Sequence, residues 1–229
     1  MSAALRLVVF DVDGTLVDSQ NHIMEAMTEA FGATGRAAPS RADVLGIVGL
    51  SLQEALARLL PDDPEATVTR AVEAYKAAYL RQRAARGPQG AAPLFPGVRA
   101  ALETLAAQEG VLLGAATGMA RRGLDHVFAA HALDDLFTTR QTADMHPSKP
   151  HPAMLEAALS ETGVAAGNAV ILGDTSYDME MGRAAGVTAI GVGWGYHAPA
   201  ALKRAGARCV LDRCDQIVGA VDALWGEQE

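Results

Sequence analysis

Leu7-Val8-Val9-Phe10-Asp11-Val12-Asp13-Gly14-Thr15-Leu16-Val17-Asp18-Ser19 is the stretch on which the reading of this chain turns. Its apolar opening reads as a buried parallel strand, and it stops abruptly at two carboxylates, a glycine and a hydroxyl. In an open α/β sheet, ligands bind at the carboxyl ends of the strands, so acids placed there meet a ligand instead of core. Two buried carboxylates need a cation, hydrogen bonds or a chemical task. Asp11 and Asp13 are two residues apart, so in an extended chain their side chains leave on the same side. Gly14 permits the sharp turn that follows, and Thr15 can hydrogen-bond nearby carboxylate oxygens. Alone, the D-x-D-G pattern describes an ordinary strand-ending turn equally well.

The chain of 229 residues has room for one large α/β domain or a core with a smaller companion. Half of its residues are hydrophobic, which supplies a packed core and excludes general disorder. Nineteen basic against 27 acidic side chains give a formal charge of -8, which disfavours nucleic acid and anionic membranes as partners. A small phosphorylated ligand remains compatible, because a bound metal reverses the potential inside a pocket. No apolar run approaches the ~20 residues of a membrane helix. Met1–Leu7 is too short before Asp11 for a signal peptide, so a cytoplasmic protein is expected. Cys209 and Cys214 then read as reduced packing residues. The pattern leaves monomer and homodimer equally open.

Further β-rich runs occur at Val111–Ala115, Leu136–Thr139, Ala169–Leu172 and Val187–Val192, with a weaker one at Arg208–Leu211. Helical stretches separate most of them, which predicts a mostly parallel sheet with right-handed crossovers. The interval from about Asp18 to Arg86 breaks the alternation. Ile23, Met24, Met27 and Phe31 share one helical face, and Leu52, Ala55, Leu56, Leu59 and Leu60 share another, with Ser51 as its N-cap. A third helix is expected over about Pro64–Arg83, then a turn-rich linker over Arg86–Pro93. The expected architecture is therefore an α/β core over 1–17 and 90–229, with an all-helical insertion over 18–89 placed as a lid beside the acidic strand end.

Three later strand ends carry polar groups of their own. Leu112-Leu113-Gly114-Ala115-Ala116-Thr117-Gly118 ends in a hydroxyl and a glycine before a helix expected over Met119–Ala130. Thr117 and the Gly118 backbone N–H suit phosphoryl oxygens, though Thr117 also suits an ordinary N-cap. Pro147-Ser148-Lys149-Pro150-His151-Pro152 holds a lysine between prolines, which fixes where its ammonium is presented; Pro152 suits the first turn of the next helix. Val170-Ile171-Leu172-Gly173-Asp174-Thr175-Ser176-Tyr177-Asp178 runs from a strand into two acids four residues apart. Oxygen-only ligands there suit Mg²⁺, and Asp178 also suits a helix N-terminus for its dipole alone. Together these groups supply a carboxylate able to attack phosphorus, a second able to carry a proton, and cations for the phosphoryl oxygens.

Phe10-Asp11-Val12-Asp13-Gly14-Thr15, Thr117-Gly118, Lys149-Pro150 and Gly173-Asp174 through Asp178 resemble the motifs of the haloacid dehalogenase-like hydrolase superfamily. The likeness is to its capped phosphatase branch, and most to phosphoglycolate-phosphatase-like members, over essentially the whole chain. The resemblance implies a Rossmann-like core, a helical cap, and Mg²⁺ as cofactor. It implies Asp11 as nucleophile and metal ligand, and Asp13 as general acid/base that also offers its backbone carbonyl to the metal. Thr117, Gly118 and Lys149 would bind the phosphoryl group, Asp174 would be a metal ligand, and Asp178 a ligand or its neighbour. Asp13 separates phosphate chemistry from carbon–halogen cleavage, since the superfamily's dehalogenases lack an acid there.

Close phosphoglycolate phosphatases often carry Thr-Asn-Lys where this chain has Thr117-Gly118-Met119, and Gly46–Ser51 offers no charged side chain to read a substrate carboxylate. Arg121 and Arg122 are either substrate-binding charge or a solvated helix face. Gly191-Val192-Gly193-Trp194-Gly195 lacks dinucleotide-loop spacing and reads as a turn; His151 and His197 read as loop residues near strand ends. The expected activity is Mg²⁺-dependent hydrolysis of a small phosphorylated metabolite through an aspartyl-phosphate. A phosphomutase, a pyrophosphatase and a non-catalytic phosphate-binding protein are the alternatives on the same scaffold. A phospho-aspartate receiver is disfavoured by the order of the acids and by the helical insertion.

Overall fold

The computed structural model describes residues 5–87 and 90–226. Strand β1 (Arg6–Phe10) leads into four helices, α1 (Gln20–Thr34), α2 (Arg41–Leu45), α3 (Leu52–Leu59) and α4 (Glu65–Arg86). After α5 (Val98–Ala106), strands and helices alternate: β2 (Val111–Thr117), α6 (Arg121–Ala130), β3 (Phe137–Thr142), α7 (Ala153–Thr162), β4 (Ala169–Gly173) and α8 (Ser176–Ala184). β5 (Thr188–Val192), α9 (Pro199–Ala205), β6 (Val210–Leu211) and α10 (Ile217–Gly226) complete the chain. Pro88 and Gln89 of the expected linker, and Met1–Ala4 at the start, lie outside the described residues.

The sheet has the order β3-β2-β1-β4-β5-β6, and every pair in it is parallel. All carboxyl ends therefore point to one side, and the chain order reverses on either side of β1, which is where such sheets form a ligand crevice. Side chains alternate across the pleat. Val8 and Phe10 enter one apolar cluster with Leu102 of α5, Phe128 of α6 and Val221 of α10. Leu7 and Val9 enter another with Leu155 of α7, Met179 of α8 and Leu202 of α9. The expected α/β class holds because a two-sided strand of this kind must be covered by helices on both faces.

The insertion carries a third apolar cluster, in which Ile23, Met27 and Phe31 of α1 meet Leu56 of α3 and Val68 and Val72 of α4. Ser51 caps α3 as read, its hydroxyl accepting from the Glu54 N–H. Helix α2 has too short an apolar pattern to be seen in the sequence; Ser40 caps it by accepting from Asp43 N–H at 3.2 Å. Between insertion and core the chain crosses twice at one place. Asp18 N donates to Pro93 O and Phe95 N donates to Leu16 O, both at 2.9 Å. Strands β2 and β3 run further than their apolar runs, to Thr117 and Thr142, because their polar ends still pair in the ladder. Helix α6 begins at Arg121 instead of Met119, and Pro152 is the N-cap of α7.

Both cysteines are free thiols. Among the described residues no helix is long and apolar enough to cross a membrane. Phe128 has no solvent exposure, and its ring lies 4.6 Å from that of Phe137. We expect Phe128→Ala to destabilise the protein by about 3–5 kcal/mol in equilibrium urea unfolding. A loss below about 1 kcal/mol would contradict the close packing of this face.

Candidate active site

Asp11 is the first residue beyond β1, and its N–H still donates to Leu172 O at 2.9 Å, extending the ladder with β4. The carboxylate is therefore fixed at the mouth of the crevice, 1% exposed. A tight turn follows, with Gly14 N donating to Val17 O and Leu16 N to Val12 O, both at 2.9 Å. Gly14 has a φ of 81°, and a side chain there would overlap the Asp174 carboxylate. Both the backbone conformation and the close approach require glycine.

Lys149 crosses from the loop after β3 and is 1% exposed. Its ammonium lies 2.9 Å from Asp11 Oδ1 and donates to Asp178 Oδ1 at 2.6 Å. The other oxygen of Asp178 accepts from Thr175 N at 3.1 Å and from Thr175 Oγ1 at 2.6 Å, which caps α8. Asp174, at the end of β4, accepts from Thr15 Oγ1 at 2.9 Å and from Tyr196 N at 2.8 Å. Asp11, by contrast, accepts no well-directed hydrogen bond at either oxygen, despite the nearby ammonium.

Oxygens of Asp11, Asp174 and Asp178 lie within 4.8 Å of one another. Burial pushes the Asp11 carboxyl well up, Lys149 pulls it down, and the charges of Asp178 and Asp174 push it further up. Burial likewise raises Asp174 to about 7, with Asp178 adding to it and Tyr196 N–H opposing. Burial alone would lower Lys149, but Asp11 and Asp178 together raise it, so it stays an ammonium. One ammonium among three acids leaves an excess of negative charge. An all-oxygen set with an unpartnered Asp11 oxygen fits a hard divalent cation.

Asp13 stands outside that triplet. Burial raises its carboxyl to about 6, against a hydrogen bond with Ser19 and the pull of Lys149. Its Oδ1 has no partner. Ser19 also ties to Tyr196, the two hydroxyl oxygens lying 3.0 Å apart. Thr117 is fully buried, and its hydroxyl accepts from Met119 N at 3.2 Å, a local turn at the end of β2.

Gly118 has a role that the sequence did not show. A side chain there would overlap the carbonyl oxygen of Leu50, so the missing Cβ lets the Gly46–Ser51 loop seat against the end of β2. Ser51 N donates to Ser148 Oγ at 2.8 Å, and Tyr177 OH donates to Gly46 O at 3.0 Å. These contacts bring the insertion onto the loops that carry Thr117, Lys149 and Asp174. Arg121 and Arg122 are exposed, and Arg121 pairs with Asp125 at 2.8 Å. His197 Nδ1 accepts from Ser176 N at 3.1 Å, a loop-tying bond. His151 Nδ1 likewise accepts from Ala153 N at 3.2 Å. Tyr196, whose N–H holds Asp174 and whose hydroxyl holds Ser19, was missed because it follows a glycine-rich turn with no motif of its own.

A family model of haloacid dehalogenase-like hydrolases matches residues 8–192. A protein of Dickeya dadantii (strain 3937) named "Probable phosphatase IndB" is 36% identical over 222 residues, 95% of this chain and 94% of that protein. The phosphoglycolate phosphatase of Rhodospirillum rubrum is 32% identical over 202 residues, 83% of this chain and 80% of its own. Among solved structures, a hydrolase from Pseudomonas syringae superposes with a TM-score of 0.83 at 26% identity, covering 95% of this chain and 98% of that one. With the matched span running from the first core strand through the fifth, the chain belongs to the haloacid dehalogenase-like hydrolase family.

Proposed function

We propose that the protein is a Mg²⁺-dependent phosphatase that hydrolyses a small phosphorylated metabolite through an aspartyl-phosphate on Asp11. The observation that carries this reading is Asp11 itself. It is a buried carboxylate at a strand end, beside a fixed ammonium, with both oxygens free of directed hydrogen bonds. Structural acids in a core are satisfied, and this one is held ready for a ligand. The family and its phosphatase relatives support the same chemistry. Residues 18–89 would act as the cap, the core being 1–17 and 90–229.

In this reading an oxygen of Asp11 attacks phosphorus and the bond to the leaving alkoxide breaks. Asp13, raised to about 6, gives that alkoxide its proton and then takes one from the water that cleaves the acyl phosphate. Lys149, the Thr117 hydroxyl and the Gly118 N–H face the phosphoryl oxygens, where charge must be held during transfer. Asp11, Asp174 and the Asp13 carbonyl would hold Mg²⁺, which supplies Lewis-acid stabilisation of the phosphoryl group when bound. Asp178 spends both oxygens on Lys149 and Thr175, so it sets the lysine in place and bounds the metal site from outside.

Asp11→Asn keeps the shape and removes the nucleophile. We expect hydrolysis of p-nitrophenyl phosphate or acetyl phosphate to fall at least about a thousandfold; retention of metal-dependent activity within tenfold of wild type would refute the assignment. A second expectation concerns stability. Asp13 and Asp174 have folded-state values of about 6 and about 7 against an ordinary 3.8. The folded state thus holds protons that the unfolded chain releases, and the stability they contribute is lost as pH rises from about 4 through 7. In EDTA, Tm should fall between roughly pH 5 and pH 8, and Mg²⁺ should raise it more at the higher pH. A Tm that climbs with pH across this window in EDTA would contradict the charge balance described.

A further inference from the structure

The loop after β5, residues 193–197, touches both halves of the molecule. On the core side, Trp194 Nε1 donates to Thr15 O at 3.1 Å, and Tyr196 N donates to Asp174 Oδ2 at 2.8 Å. A side chain at Gly195 would overlap the Asp174 carboxylate, so the backbone here is seated directly against that acid. On the other side, the ring of Tyr196 packs against the apolar cluster of the insertion. Its hydroxyl lies 3.0 Å from Ser19 Oγ, and Ser19 N donates to the same phenol oxygen at 3.2 Å. Ser19, where the chain leaves the core, is thus tied twice to Tyr196.

Ser19 is 1% exposed and stands at the N-cap of α1. A serine there ordinarily turns its oxygen to a first-turn N–H. Ser40 and Ser51 do so for α2 and α3, but Ser19 makes no side-chain cap. Its hydroxyl instead joins Tyr196 to the Asp13 carboxyl. The hydrogen bonds then run one way. An ionised carboxylate only accepts, so Ser19 gives its single proton to Asp13, and the phenol gives its own to Ser19 Oγ. Bonds in such a series polarise one another. Asp13 Oδ1 stays buried without a partner, which leaves that oxygen to exchange a proton while Ser19 holds the carboxyl.

We infer that Tyr196 is a positioning residue for proton transfer by Asp13, acting through Ser19. Without the phenol hydroxyl, Ser19 Oγ loses its donor and is released to cap α1, and the Asp13 carboxyl loses its fixed orientation. Asp174 keeps its partner, because the Tyr196 backbone holds it. The inference rests on the phosphatase reading above and adds to it what sets the proton carrier in place.

The test compares kcat/KM for phenyl phosphate and p-nitrophenyl phosphate in wild type, Tyr196→Phe, Ser19→Ala and Ser19→Thr. The two esters share a ring, but phenolate is the stronger base and depends on a proton to leave, whereas p-nitrophenolate leaves nearly unaided. This parameter covers the steps up to departure of the phenol, ahead of acyl-phosphate cleavage. Tyr196→Phe and Ser19→Ala should each lower the ratio of phenyl to p-nitrophenyl phosphate at least about fivefold. Ser19→Thr keeps a hydroxyl and should stay within about twofold of wild type. An unchanged ratio in Tyr196→Phe, with both esters slowed alike, would overturn the inference and leave the phosphatase reading in place. So would a loss of Mg²⁺ affinity of about tenfold or more in that variant, since it would place the effect at Asp174. Should Tyr196→Phe not fold, the ratio in Ser19→Ala, set against Ser19→Thr, decides by the same criterion. Failure of wild type to hydrolyse either ester in Mg²⁺ would instead overturn the phosphatase reading, and the inference with it.

Discussion

Three carboxylates and one ammonium, buried at the ends of β1 and β4, in the first turn of α8 and in the loop after β3, are the constraint to which the rest of the molecule answers. Removing such charges from water is costly unless each finds a partner. Lys149 bridges Asp11 and Asp178, Thr175 holds the far side of Asp178, and Thr15 and Tyr196 hold Asp174. Beyond its ion pair with Lys149, Asp11 has no directed hydrogen bond at either oxygen, and Asp13 and Asp18 each keep one buried oxygen without a partner. The unsatisfied acidic oxygens thus gather around the side chains that the proposed chemistry uses.

The fold makes that concentration possible. An all-parallel sheet brings every strand end to one side, and β1 sits in the centre with β2 and β4 as neighbours. Glycines then let charged groups approach more closely than side chains would permit, as Gly14 does beneath Asp174. The helical insertion supplies the other wall. Its Gly46–Ser51 loop rests on Gly118 and Ser148, beside the strand ends that carry the acids. Burial and electrostatics are coupled here, since burial is the largest cause raising Asp11, Asp13 and Asp174.

Much of this was legible in the sequence, for a physical reason. Strands covered on both faces read as unbroken apolar runs, so the polar residues that end them stand out. Asp11, Thr117 and Asp174 each follow such a run directly, and the alternation of runs with helical stretches marks the α/β class. Lys149 was legible through the prolines around it. Less visible were residues whose task depends on a distant partner. Tyr196 reaches Ser19 and Asp174, and Gly118 meets Leu50; no local spacing encodes those pairings. Boundaries slipped where polar residues continued a ladder, as at the ends of β2 and β3.

The central claim is that the acidic cluster is incomplete without a divalent cation. Calorimetric titration of Mg²⁺ into the EDTA-stripped protein near neutral pH tests it most directly, with Asp174→Asn as the comparison. One saturable site per chain in wild type, weakened at least tenfold by Asp174→Asn, is the predicted result. No binding to folded wild type, or equal affinity in the two proteins, would contradict the account.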